Sequence, residues 1–191
     1  IFVTATQPFL ISGNQVTELT DPTRTETRAF FTGMDRIRLD LSLWKEGDQT
    51  LEELILRFQQ AIKNNRDKSF LIILNKVKAS QQVFRELERL NPEAELEYLS
   101  AAVLPVLRRE RIEKVKKPPE GKQLIVVTTQ VVEAGVDLDL DIVYRDLAPL
   151  DSINQSAGRC NRNGLKGKGE VRLFKSEKGA SIYDKVLIHI T

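Results

Sequence analysis

Four consecutive apolar residues, Leu124 to Val127, three of them β-branched, run directly into Thr128, Thr129 and Gln130. A segment with no polar face reads as a strand buried on both sides, and such strands belong to parallel sheets covered by helices. Phe70 to Leu74 and Ile142 to Tyr144 repeat the pattern, and Glu95 to Leu99, Glu170 to Phe174 and a short stretch at Arg36 to Leu41 add further strands. Helices are expected between them. Thr50 followed by Glu53 makes a capping box, and Leu51, Leu54, Ile55, Phe58 and Ile62 form one apolar face. A second helix is expected over 79 to 90, and a third begins at Pro105, which suits a first helical turn. This third helix carries Arg108, Arg109, Arg111, Lys114, Lys116 and Lys117, a run that reads as a solvated face helped by cations near a helix C-terminus. The alternation predicts an α/β fold, a parallel sheet with helices on both faces.

The chain has 191 residues, enough for one domain with a full core and some additional material. Its net charge of +2 gives no global field for nucleic acid, so any basic surface must be local. A single cysteine excludes an internal disulfide framework and fits a reducing compartment. No stretch is apolar enough to span a bilayer, and a soluble, cytoplasmic protein is expected. The sequence begins at Ile1 without a signal-peptide pattern and reads as a piece of a longer polypeptide.

Polar residues cluster after the central strand. Thr128, Thr129, Gln130, Glu133, Gly135 and Asp137 are expected at its carboxyl end, where open parallel sheets bind ligands. Beyond the next strand and Pro149 come Gln155, Gly158, Arg159 and Arg162. Three residues apart on a helix, the two arginines would share a face and could point at one anion. The competing reading is a surface ion pair, with Asp146 or Asp151 as the carboxylate. Cys160 reads as a small packed side chain, and Trp44 as a cover for the core edge. His189 is the only histidine, so no metal or nuclease centre built on His and Asp is expected here.

TTQVVEAGVDLD resembles motif V and QSAGRCNR resembles motif VI of superfamily 2 helicases, whose motors are paired RecA-like domains. The wording of these segments, with DLAPLDSINQ between them, is similar to that of the type I CRISPR-associated helicase-nuclease. IFVTATQ at the start resembles motif III, and Asn75-Lys76 resembles motif IV. The resemblance implies a RecA-like parallel sheet, the second motor domain of such a helicase. Residues 1–40 would then end the first motor domain and connect it to the second, which would occupy residues 41–191.

The same resemblance implies roles. Arg159 and Arg162 would be arginine fingers reaching the γ-phosphate, with Gln155 orienting phosphate or water. Asp137 would hold the ribose, and Gly135 would let the backbone come close. Thr129, Asn75, Lys76 and Ser100 would contact DNA. Thr4, Thr6 and Glu133 would couple the two activities, with Glu133 bracing its loop, and Asp151 would cap the motif VI helix. A helix N-terminus beside Lys76 is also physically suited to phosphate, although a plain polar cap is an equal reading. Two departures stand out: Ser156 occupies a position where the family more often has Arg, and Leu99 one where it often has His.

These features together imply part of an ATP-dependent single-stranded DNA helicase of CRISPR interference. ATP with Mg2+ would be held mainly by the first motor domain, since no GxxxxGK[ST] phosphate loop occurs in the chain. The expected partners are that first RecA-like domain, single-stranded DNA and a CRISPR guide-RNA surveillance complex, with no membrane. The rival readings are another superfamily 2 RNA or DNA helicase and a non-catalytic docking module.

Overall fold

The computed structural model describes residues 36–133, 136–164, 167–177 and 183. Thr4, Thr6 and Gly135 lie outside the described residues, as does His189.

Six parallel strands form one sheet: β1 (Ile37–Asp40), β2 (Phe70–Ile73), β3 (Glu95–Leu99), β4 (Leu124–Thr128), β5 (Ile142–Asp146) and β6 (Gly169–Phe174). Their order across the sheet is β1-β6-β5-β2-β4-β3. The strands read as apolar runs, β5, β2 and β4, are consecutive inside the sheet and are buried along their whole length. β1 lies within the stretch read as a connection, yet it pairs with β6 from Ile37 opposite Gly169 to Asp40 opposite Arg172 and is an edge of this sheet.

Helices cover both faces, as the buried strands require. On one face α2 (Leu51–Asn64) and α3 (Val77–Leu90) pack Leu54, Phe58, Ile62, Val83 and Leu87 onto Phe70, Ile72, Ile125 and Tyr144. On the other, α4 (Pro105–Lys116) and α5 (Leu150–Ala157) contribute Val115 and Ile153 to a core with Leu71, Ile73, Val126 and Val143. Thr50 caps α2 through the expected box: its hydroxyl accepts from the Glu53 amide at 3.3 Å while its own amide donates to Glu53 Oε2 at 2.9 Å. α3 starts two residues before the expected position, at Val77. A short helix, α1 (Ser42–Lys45), follows β1. Trp44 on it is 40% exposed, and its neighbour Leu43 is buried in the core. Among the described residues no helix is long and apolar enough to cross a membrane.

Candidate nucleotide and nucleic-acid faces

The connection from β4 to β5 carries the motif V residues from one end of the sheet to the other. It leaves the carboxyl end of β4 through Thr129 and a 3-10 turn at Gln130–Val132, and at Leu140 it forms a parallel bridge with Cys160. By Asp137 it has reached the opposite end. A cavity of about 630 Å3 is lined there by Asp137, Asp139 and Asp141 together with Ser69 and Gln123, the residues that precede β2 and β4. The expectation that Asp137 crowds the carboxyl end with Thr129 is therefore corrected, because the loop crosses the sheet instead of folding back.

The two arginines also lie elsewhere than on a shared helical face. α5 ends at Ala157, and Gly158 caps it. The following residues are drawn out of the helix by the bridge to β5's leading segment: the Leu140 amide donates to the Arg159 carbonyl at 3.0 Å, and the Asn161 amide donates to the Leu140 carbonyl at 2.9 Å. Asn161 then takes a left-handed backbone, φ 43°, and its side-chain amide donates to the Arg36 and Gly167 carbonyls at 2.9 and 2.7 Å. The arginines thus sit on a tied turn.

Their environments differ. Arg159 donates from Nε to the Val132 carbonyl at 2.9 Å and from Nη2 to the Glu133 carbonyl at 2.8 Å, so it is pinned to the end of the 3-10 turn. Arg162 is more open. Its Nε lies 3.0 Å from Asp137 Oδ1, an ion pair whose side chains are 43% and 72% exposed. Its backbone amide donates to Asp139 Oδ1 at 2.8 Å, and Asn163 Nδ2 donates to the same carboxylate at 2.6 Å. Burial lowers the pKa of Arg159, the charge of Arg162 lowers it further, and Asp137 opposes both. Neither Asp146 nor Asp151 is the carboxylate partner. Asp146 instead accepts from Ser176, and Asp151 lies exposed in the first turn of α5, where Pro149 and not Asp151 holds the cap position. Gln155 is exposed on α5, and Ser156 is buried with its hydroxyl on the Ser152 carbonyl at 2.8 Å.

At the carboxyl end of the sheet the expected DNA contacts are mostly occupied by the protein itself. Asn75 is buried, donates from Nδ2 to the Leu147 carbonyl at 2.7 Å and accepts from Arg145 at 2.6 Å. The Thr129 amide donates to the Leu99 carbonyl at 3.2 Å. Ser100 is buried, and its hydroxyl accepts from the Ala102 amide at 3.2 Å to close a turn. Lys76 is different, since it stands at the start of α3 with no side-chain cap on the first turn. That helix end keeps free amides suited to an anion. Glu133 does brace its loop: its carboxylate accepts from Arg145 at 2.7 Å, with its pKa raised by burial against the pull of Arg145.

Arg145, Asn161, Asp139 and Tyr183 are absent from the residues that sequence singles out. Arg145 was signalled, as a charged residue in strand alternation with Val143 directly after the apolar run Ile142 to Tyr144. The other three depend on contacts distant in the chain.

Comparison with known proteins places this geometry. The chain is 28% identical over 167 residues to the CRISPR-associated nuclease/helicase Cas3 of Methanothermobacter thermautotrophicus, a match covering 80% of this chain and 20% of that protein. A second relative, from Methanocaldococcus jannaschii, is 28% identical over 69% of the chain and 18% of its own length. The chain therefore spans about a fifth of the curated relatives it matches. The crystal structure of T. fusca Cas3 with ATP superposes with a TM-score of 0.65 at 22% identity over 80% of this chain and 20% of that one. The C-terminal domain of the DEAD-box protein Dbp5 does so with a TM-score of 0.58 at 17% identity, over 78% of this chain and 82% of that one. At those identities both show the RecA-like α/β fold. Residues 66–165, more than half of the chain, match the family described as the C-terminal part of the CRISPR-associated nuclease/helicase Cas3, and the chain belongs to that family.

Proposed function

We propose that this chain is the second motor domain of an ATP-driven single-stranded DNA translocase of CRISPR interference, with Arg159 and Arg162 acting on a nucleotide held mainly by the first motor domain. Residues 1–40 are then the end of that first domain and the connection to the second, with β1 joining the second domain's sheet. One observation carries the role: two neighbouring guanidinium groups, one pinned by backbone carbonyls and one partly exposed, both interact with the exposed carboxylate of Asp137. An exposed ion pair is worth about 0–1 kcal/mol. A triphosphate can therefore replace Asp137 on Arg162 at little cost, and Asp137 is then free to accept from a ribose hydroxyl.

In phosphoryl transfer the protein mainly positions groups and neutralises charge. Arg162 would meet the charge that develops on the γ-phosphoryl oxygens, a contribution of roughly 10³ to 10⁵ in rate for such fingers. Arg159, fixed on the Val132 and Glu133 carbonyls, keeps the turn in register, and Gln155 would orient phosphate or water. Among the described residues no three His, Cys, Asp or Glu side chains gather to hold a metal ion. At the other end of the sheet, Lys76 and the open amides of α3 are the groups suited to a DNA phosphate, recruited with the rest of the motor by a guide-RNA surveillance complex. The T. fusca relative crystallised with ATP supports the choice of nucleotide.

The test is steady-state ATP hydrolysis by the parent protein with single-stranded DNA. Arg162→Ala should lower turnover by about 10³-fold while nucleotide binding changes little. Wild-type turnover in that variant would remove the finger role and favour a docking module, and stimulation by RNA rather than DNA would favour another superfamily 2 motor.

A further inference from the structure

β5 reads Ile-Val-Tyr-Arg-Asp, and the two-residue alternation of a strand puts Arg145 on the same face as Val143, inside the second core. Its side chain is fully buried. A guanidinium keeps its charge under such conditions and must find partners, because an unpaired buried ion is strongly unfavourable. Arg145 finds four. Nη1 donates to Asn75 Oδ1 at 2.6 Å and to the Asp146 carbonyl at 2.9 Å. Nη2 donates to Glu133 Oε1 at 2.7 Å and to the Tyr183 hydroxyl at 3.1 Å. Nε is buried without a hydrogen-bond partner, so the group is oriented by its fork alone.

The partners close a ring. Gln130 Nε2 donates to the Asn75 carbonyl at 3.2 Å and to the Tyr183 hydroxyl at 3.1 Å, and that hydroxyl lies 3.3 Å from Asn75 Oδ1. Three segments distant in sequence, the end of β2 leading into α3, the 3-10 turn after β4 and β5 itself, thus meet at one cation together with Tyr183. The turn is also the support of the arginine pair, since the Glu133 carbonyl accepts from Arg159. From Lys76 to Arg159 there is a continuous path of hydrogen bonds and backbone, and Arg145 is its branch point.

We infer that Arg145 is a positioning residue, steadied by Tyr183, that fixes the loop carrying Glu133 against the strand end carrying Asn75 and so makes nucleotide turnover respond to nucleic acid at α3. This rests on the motor reading above. Removing the Tyr183 hydroxyl loosens the fork without touching either face, and Arg145→Lys keeps the charge but loses the fork geometry.

The experiment uses the parent protein and measures ATP hydrolysis without DNA and at saturating single-stranded DNA, beside DNA affinity by fluorescence anisotropy. Tyr183→Phe should leave the DNA-free rate and the DNA affinity within about twofold of wild type and lower the stimulation factor by about fivefold or more. Arg145→Lys should act in the same direction and further. A purely structural role predicts both rates falling in proportion, or no change at all, and either result in Tyr183→Phe overturns the inference even if Arg145→Lys fails to fold. A wild-type parent with no DNA stimulation would remove the motor reading and this inference with it, whereas wild-type stimulation with unchanged variants would remove the inference alone.

Discussion

Asn161 sits between the two arginines with a left-handed backbone that glycine adopts freely and most residues avoid. Asn161→Gly keeps that backbone accessible and loses the two side-chain bonds, while Asn161→Ala loses the bonds and adds the strain of a Cβ. The alanine variant should be the less stable of the two by about 1 kcal/mol in a urea titration; equal midpoints would show that the turn relaxes. Gly169, opposite, has no room for a side chain, because a Cβ there would lie 2.5 Å from Cys160 Sγ and 2.8 Å from Asn161 Cβ. Cys160 is packed as expected, and burial pushes its thiol up to about 12. A raised thiol pKa favours the folded state fully below the unfolded value, near 9, and that contribution is lost as pH climbs toward 12. Native protein at pH 8 should therefore label with a maleimide only as fast as it unfolds, and rapid labelling would contradict this packing.

Helix ends and strand edges carry the next set of consequences. The capping box on α2 was readable because Thr50 and Glu53 are neighbours in sequence, and Thr50→Ala should cost about 1 kcal/mol by thermal or urea melting. α4 was readable as basic, and its cations do more than face solvent. Arg111 donates to the Tyr98 carbonyl at 2.7 Å, and Lys114 lies 3.6 Å from the buried carboxylate of Glu97 on β3. Burial nevertheless raises the Glu97 pKa, with Lys114 and Arg111 opposing. A raised carboxyl pKa favours folding most below the unfolded value, near 4.5, and that advantage is lost as pH rises through the folded one. Glu97→Gln, neutral and of similar shape, should thus be more stable than wild type at pH 7, with the gap closing toward pH 4. A variant destabilised equally at both values would show that the ion pairs outweigh the burial.

Across the described residues, one sheet separates two cores, and every central strand lends alternate residues to each. Neither core can dissolve while the other keeps its strands, so unfolding should be a single transition. Far-UV circular dichroism, Trp44 fluorescence from one edge and Cys160 protection from the other core should share one midpoint, and separated midpoints would mean that the cores unfold independently. The sequence by itself determined the strands, the two helix-covered faces, the α2 cap and the membership of Thr129, Asp137, Arg159 and Arg162 in two short motifs, because periodicity, capping and motif spacing are properties of neighbouring residues. Only the tertiary structure decided that Asp137 and Thr129 stand at opposite ends of the sheet, that Arg159 and Arg162 lie on a turn pulled from α5 by the Leu140–Cys160 bridge, and that Arg145 is a buried joint. Each of these depends on groups remote in the chain meeting in a water-poor interior, where a charge or an amide must be satisfied by whatever the fold brings beside it.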